Sequence, residues 1–192
     1  MAATLLFIRH AETALAGTFC GHTDPPLNDA GLAQLTPLLA RIAEIPCTAI
    51  HTSDLERART TAEFIAEPRN LPIHSSAALR EIDFGDWETL SWEQIEQRDP
   101  AYAARWVAEF PNLPAPGGEP IPQFKHRVLS EISRLRRQAQ DIAIVTHAGV
   151  LRVVLEELGH FAPHHAWERT REYTCTIRCT QQSPSGHFEV HP

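Results

Sequence analysis

Two stretches decide the fold: Thr4-Leu5-Leu6-Phe7-Ile8-Arg9-His10-Ala11 and Asp141-Ile142-Ala143-Ile144-Val145-Thr146-His147-Ala148-Gly149. Each is an apolar run that stops at a His-Ala pair. A strand with one wet face alternates apolar and polar residues. A run apolar at nearly every position must be covered on both faces, as parallel strands are inside an α/β sheet. The two runs therefore predict central strands of a three-layer α/β/α sandwich with a mostly parallel sheet. In such a sheet, ligands sit beyond the carboxyl ends of the strands, among loops and helix N-termini. His10 and His147 are thereby placed together, although 137 positions (147 − 10) separate them.

Helical segments fill the intervals. Asn28 is placed as the N-cap of a helix with Leu32, Leu35, Leu39 and Ile42 on one face, and Pro37 is expected to kink or shorten it. Cys47–Ser53 reads as a strand. Ser53 and Glu56 then have capping-box spacing, which puts Arg57 in the first turn of a helix through Ala58, Ala62 and Ile65. A short strand is expected over Leu71–His74. Phe124, Val128, Ile132 and Leu135 recur at helical spacing before the second apolar run. Gly149 opens a helix with Leu151, Val154, Leu155 and Leu158 inward and Gly159 as its stop. Tyr173, Cys175, Ile177 and Cys179 alternate with Thr174, Thr176, Arg178 and Thr180. Ser183-Pro184-Ser185-Gly186 turns into His187–His191, so a half-exposed hairpin closes the sheet. Residues 85–122 differ in character, carrying three of the four tryptophans and six prolines. They predict an insertion over one face of a single domain spanning residues 1–192.

A chain of 192 residues buries a core without bridges or a structural metal. Its 17 basic and 24 acidic residues give a formal charge of −7, which opposes binding to nucleic acid or to an anionic membrane. Any anion must be caught by a local cluster. No apolar run approaches the roughly 18 residues of a membrane span. The first residues lack the basic flank and cleavage signal of a secretory leader and read as a strand of a cytoplasmic protein. Cys20, Cys47, Cys175 and Cys179 contain no C-x-x-C pair and are expected to be reduced and buried. His164 and His165, read as strand neighbours, point apart, and no H-E-x-x-H or H-x-H spacing supports a metal site. No metal and no cofactor are expected, and monomer and homodimer both stay open.

The local cluster is Arg9 and His10 at one strand end, His147 at another, and Arg57 at a helix N-terminus. Unpaired N–H groups, a helix dipole and guanidinium forks together suit a phosphate. Arg9-His10-Ala11-Glu12-Thr13, Ser53-Asp54-Leu55-Glu56-Arg57-Ala58, Leu79-Arg80-Glu81 with Phe84-Gly85-Asp86-Trp87-Glu88, Pro116-Gly117-Gly118-Glu119, and Thr146-His147-Ala148-Gly149-Val150-Leu151 resemble, in order, the motifs of the histidine phosphatase superfamily. Any one is weak; five in register are specific. Within the superfamily the Phe84–Glu88 segment is most similar to the alpha-ribazole phosphatases of cobalamin biosynthesis.

The resemblance implies a phosphoglycerate mutase-like fold and a small phosphate ester as substrate. His10 is implied as the nucleophile that forms a phosphohistidine. Arg9, Arg57 and His147 hold the phosphoryl oxygens, and Glu81 is the general acid and base, with Asp83, Asp86 and Glu88 as alternatives. Two positions depart from the pattern. Ala11 replaces a glycine, harmless only at negative φ. Ala16 replaces an asparagine, a donor that Thr23 or a backbone N–H is expected to supply instead. Trp87 or Trp92 is a candidate contact for a planar leaving group. A phosphoglycerate mutase-type phosphotransferase is the alternative activity, but Ile82–Gln97 lacks the arginine pair that the resemblance associates with mutases. A non-catalytic phosphate-binding module is a third reading, motivated by Ala11 and Ala16 and opposed by the retention of Arg9, His10, Arg57, Glu81 and His147.

Overall fold

The computed structural model describes residues 3–181 and 188–191. The two apolar runs are strands β1 (Ala3–Arg9) and β4 (Ile142–Thr146), buried throughout except at Arg9, which is half-buried. They pair in parallel with Arg9 opposite Thr146, so His10 and His147 leave the sheet at the same level. With β2 (Ala49–Ser53), β3 (Ile73–Ser76), β5 (Thr176–Gln181) and β6 (Phe188–His191), the described strands run in the order β3-β2-β4-β1-β5-β6. Strands β3, β2, β4 and β1 are parallel, while β5 and β6 run antiparallel to their neighbours.

The described helices are α1 (Asp29–Ile42), α2 (Glu56–Ala66), α3 (Trp92–Arg98), α4 (Pro100–Glu109), α5 (Ile121–Arg136), α6 (Ala148–Glu157) and α7 (Pro163–Thr170). The pleat of β1 divides the core between them. Leu6 and Ile8 join Ile50, Ala143 and Val145 against Leu38 and Ile42 of α1 and Ala58, Ala62 and Ile65 of α2. Leu5 and Phe7 join Ile142, Ile144 and Ile177 against the apolar faces of α5 and α6 and Ala166 of α7. Each large apolar side chain buried this way stabilises the fold by roughly 1.5–3 kcal/mol. That is the three-layer α/β/α arrangement, with a mixed, mostly parallel sheet.

Residues 85–122 carry α3 and α4 around a core of their own. Trp87, Ile95, Ala103 and Ala115 are buried there, with Trp92, Tyr102 and Trp106 packed around them. Phe19, from the loop after β1, contacts the rings of Phe84, Trp87, Trp92 and Trp106 at centroid distances of 5.0–6.3 Å. Two backbone bonds, Thr89 N–H to Phe19 O (2.7 Å) and Phe19 N–H to Leu90 O (2.9 Å), fasten the same junction. Trp87 is thus a packing residue, closed to a planar leaving group.

Several local expectations are corrected. The buried stripe of α1 is Gly31, Leu35, Leu38 and Ile42, while Leu32 is 51% exposed. Pro37 stays inside α1 on its exposed side, so the Ala33 carbonyl that loses its helical donor lies on the exposed face too. Leu55, not Ser53, precedes α2, and the Glu56 N–H is taken by both carboxylate oxygens of Asp24 at 2.8 and 2.9 Å. A tertiary contact thus replaces the capping box. β3 lies two residues later than expected. α6 ends at Glu157 with Leu158 half-buried, and the left-handed residue beyond it is His160 (φ 56°), not Gly159. Gly159 is small because a Cβ there would press on Leu155, Phe161 and Val190. His164 and His165 lie on α7, with ring centroids 3.8 Å apart. Only Cys179 is fully buried; Cys20, Cys47 and Cys175 are half-buried free thiols. The turn Ser183–Gly186 and His187 lie outside the described residues.

Candidate active site

The strand ends bring His10 and His147 to a ring-centroid distance of 5.0 Å with planes at 61°. His10 Nδ1 lies 2.7 Å from the Ala11 carbonyl oxygen. A carbonyl only accepts, so Nδ1 carries the proton and Nε2 keeps a free lone pair. Burial, then Arg57, then Arg9 hold the His10 pKa well below the usual histidine range, outweighing the Ala11 bond. His10 is therefore neutral near pH 7. His147 is fully buried at the N-cap of α6, and burial followed by Arg57, His10, Arg9 and Arg127 likewise depresses its pKa.

Arg57 is fully buried in the first turn of α2. Its Nη1 donates to the Thr23 carbonyl at 2.7 Å and its Nη2 to the Gly21 carbonyl at 2.6 Å, with Asp24 Oδ1 3.6 Å from Nη1. Arg9 lies flat on Tyr173, 4.0 Å from the ring centroid, and its Nη1 donates to the carbonyls of Thr170 and Arg171 at the end of α7. What remains unpaired is informative. Arg9 Nε, Arg57 Nε and both ring nitrogens of His147 are buried without a hydrogen-bond partner. A buried polar group left so costs about 1–3 kcal/mol. The neutral His147 ring has one donor and one acceptor nitrogen, so three of these four atoms are donors around His10, and they suit a ligand rich in acceptor oxygens.

Glu81 is nearly buried beside this cluster. Its Oε2 accepts from the Gly149 N–H at 2.9 Å, in the first turn of α6, and its Oε1 from the Ile82 N–H at 3.0 Å. A Cβ on Gly149 would collide with this carboxylate, which is why glycine follows Ala148. Arg127 fixes the chain on the other side. It donates to the carbonyls of Ala78 (3.1 Å), Arg80 (2.8 Å) and Glu81 (2.8 Å), and it grips Glu119 through two bonds of 2.7 and 2.8 Å.

The other carboxylates of this segment are occupied or remote. Both Glu88 oxygens accept backbone N–H groups, from Gly21 (3.1 Å), His22 (2.9 Å), Thr23 (3.0 Å) and Phe84 (3.1 Å). Burial raises the Glu88 pKa, but the bonds from Thr23, Phe84 and His22 outweigh it, so the net shift is downward. Asp83 Oδ1 accepts from the Gly85 N–H at 2.8 Å, and Asp86 is exposed.

Thr23 spends its N–H on Glu88 and its carbonyl on Arg57, and Ala16 is exposed. Ala11 avoids positive φ, and its N–H donates to Thr61 Oγ1 at 3.1 Å, so it fits without strain. Arg127, Tyr173 and the anchoring use of Glu88 escape sequence reasoning, because each acts through contacts distant in the chain. Among the described residues, no group of three His, Cys, Asp or Glu side chains is placed to hold a metal ion. Nor is any helix among them long and apolar enough to cross a membrane.

A neutral imidazole with a free lone pair, ringed by unpaired cationic and imidazole donors and flanked by a carboxyl group, is an arrangement suited to phosphoryl transfer. The chain belongs to the histidine phosphatase superfamily (branch 1), whose sequence signature matches residues 5–190. It is 33% identical over 175 residues to the adenosylcobalamin/alpha-ribazole phosphatase of Salmonella typhimurium, covering 89% of this chain and 87% of that one. It is 29% identical over 154 residues to phosphoserine phosphatase 1 of Hydrogenobacter thermophilus, covering 78% and 73%. The crystal structure of the alpha-ribazole phosphatase from Shigella flexneri superposes with a TM-score of 0.86 at 29% identity, over 97% of this chain and 95% of that one. The protein is a phosphatase of the phosphoric monoester hydrolase class.

Proposed function

We propose that this phosphatase works through a phosphohistidine on His10, and that residues 1–192 act as one catalytic domain with 85–122 as its cover. In the first step the Nε2 lone pair attacks phosphorus in line, the P–O ester bond breaks, and the departing oxygen takes a proton from the Glu81 carboxyl group. In the second, Glu81 takes a proton from water, the oxygen of that water bonds to phosphorus, and the P–N bond electrons return to Nε2. Inorganic phosphate leaves, and Glu81 ends protonated as it began.

Arg9, Arg57 and His147 donate to the phosphoryl oxygens and stabilise the charge that spreads over them, without a metal ion. Thr23 contributes through its carbonyl, which aims Arg57. The observation that carries this reading is the free Nε2 of His10 surrounded by buried donors that lack acceptors.

The substrate we favour is alpha-ribazole 5′-phosphate, on the strength of the relatives whose names carry that activity, and the compartment we favour is the cytoplasm. Phosphoserine is the second reading, from the relatives named for it. Phosphate release from alpha-ribazole 5′-phosphate, a nucleoside 5′-monophosphate, phosphoserine and 3-phosphoglycerate, compared by kcat/KM, tests the choice. A preference for 3-phosphoglycerate with 2-phosphoglycerate as product would overturn it in favour of the mutase chemistry.

A further inference from the structure

One buried polar atom in this region is not explained by the phosphoryl group. Among the described residues, the buried side-chain nitrogens and oxygens without a partner are Arg9 Nε, Arg57 Nε, His147 Nδ1 and Nε2, and His22 Nε2. The first four surround His10. The fifth is held by the same loop. Gly21 and Thr23, on either side of His22, supply the carbonyls that grip Arg57, and the His22 N–H goes to Glu88 at 2.9 Å. The imidazole reaches away from that loop to Asp83, with Nδ1 3.4 Å from Oδ2. Asp83 is two residues beyond Glu81, and its other oxygen is fixed by the Gly85 N–H at 2.8 Å. His22 therefore bridges the loop that aims Arg57 and the loop that carries Glu81, its side chain 34% exposed and that of Asp83 37%.

The carboxylate decides what the free nitrogen can do. Asp83 only accepts, and at 3.4 Å, longer than a hydrogen bond, it favours hydrogen on Nδ1 of the neutral ring, which leaves Nε2 as an acceptor. With Glu81 assigned to the departing alcohol, an unpaired acceptor bridged to the Glu81 loop is matched by a hydroxyl group of that alcohol.

We infer that His22, oriented by Asp83, is a specificity residue that accepts a hydrogen bond from a hydroxyl of the leaving alcohol, so that the enzyme favours sugar-type phosphate esters. The inference rests on the assignment of Glu81 to the leaving-group side. A site built to pair with a hydroxyl discriminates against an analogue lacking it, because its own polar atom is then left buried and unpaired.

The test compares kcat/KM for a ribonucleoside 5′-monophosphate and its 2′,3′-dideoxy counterpart in wild type, His22→Phe, His22→Gln and Asp83→Asn. Hydrolysis of an aryl phosphate reports that each variant is folded and active. Wild type is expected to prefer the ribonucleotide by about tenfold or more. The ratio should fall toward one in His22→Phe, stay partly intact in His22→Gln, which keeps an acceptor oxygen, and drop in Asp83→Asn, which frees the tautomer. Equal rates for the two nucleotides in wild type, or an undiminished ratio in His22→Phe, would overturn the inference while leaving the phosphohistidine chemistry standing. If His22→Phe fails to fold, loss of the ratio in His22→Gln to the same degree as in Asp83→Asn would overturn it as well. Wild type that cleaves the aryl phosphate but neither nucleotide would refute the alpha-ribazole-type substrate together with the inference.

Discussion

Replacing Glu88 by glutamine changes one oxygen to an amide nitrogen and leaves the shape of the side chain intact. In wild type the two oxygens receive the N–H groups of Gly21, His22, Thr23 and Phe84. An NH2 group accepts none of them, so one donor (Thr23) or two (His22 and Phe84) lose their acceptor, depending on which way the amide settles, and the bonds that remain lose the charge. Bonds to a charged group contribute about 1.5–3 kcal/mol each. Glu88 is only half-buried, and water recovers part of the loss, which leaves about 2–4 kcal/mol.

For a chain of this size that loss lowers Tm by roughly 4–16 °C, readable by calorimetry at pH 7. The pH dependence has a definite sign. The folded carboxyl group has a lowered pKa, so its contribution is complete above the unfolded value near 4.3 and fades as pH falls through the folded value. The gap between wild type and Glu88→Gln should therefore be widest at neutral pH and close in acid. Activity should fall too, because the same loop presents the Gly21 and Thr23 carbonyls to Arg57. A variant that melts within about 1 °C of wild type at pH 7, or a gap that widens in acid, would refute the reasoning.

Glu81→Gln should lower turnover by roughly 10²–10⁴ on alkyl phosphates and far less on aryl phosphates, whose phenolate departs without a proton; steady-state rates on both classes check it. Arg127→Met should destabilise the fold by about 2–4 kcal/mol in urea unfolding, since it removes the Glu119 pair and releases three carbonyls, one of them that of Glu81 itself. The ring resonances of His10 should show no titration between about pH 7.5 and 6, because burial and two arginines keep the imidazole neutral there; a midpoint near 6.5 in the NMR titration would contradict the geometry. Activity should survive EDTA unchanged, and recovery of lost activity on adding a divalent ion would show that charge is supplied by something other than Arg9, Arg57 and His147.

The parts of this protein that were legible in its sequence are those dictated by burial. β1 and β4 have two covered faces, so their apolar runs report both the strand and the layers beside it, and their ends report His10 and His147. α5 shows its stripe for the same reason. α7 was missed because only Ala166 and Thr170 are buried on it, too few to mark a face. The start of α2 was misread because Asp24, distant in sequence, takes the cap that Ser53 was expected to provide. In the site, Arg57 could be placed from its helix turn, while Glu88, Arg127 and His22 could not. Their partners are backbone groups and side chains brought near only by the finished fold. The carboxylates of the Glu81–Glu88 segment look alike in sequence, and only hydrogen bonding separates the four-fold bonded Glu88 from Glu81 at the N-terminus of α6.

The phosphohistidine mechanism requires that Nε2 of His10 bonds to phosphorus during turnover. Rapid acid-free quenching of the enzyme with a phosphorus-labelled substrate, followed by peptide mapping, measures it directly. A base-stable, acid-labile phosphate is expected on the peptide containing His10, formed and lost at rates matching turnover and absent in His10→Ala, whose activity falls by about a thousandfold or more. Label on another residue, or near-normal turnover in His10→Ala, would contradict it.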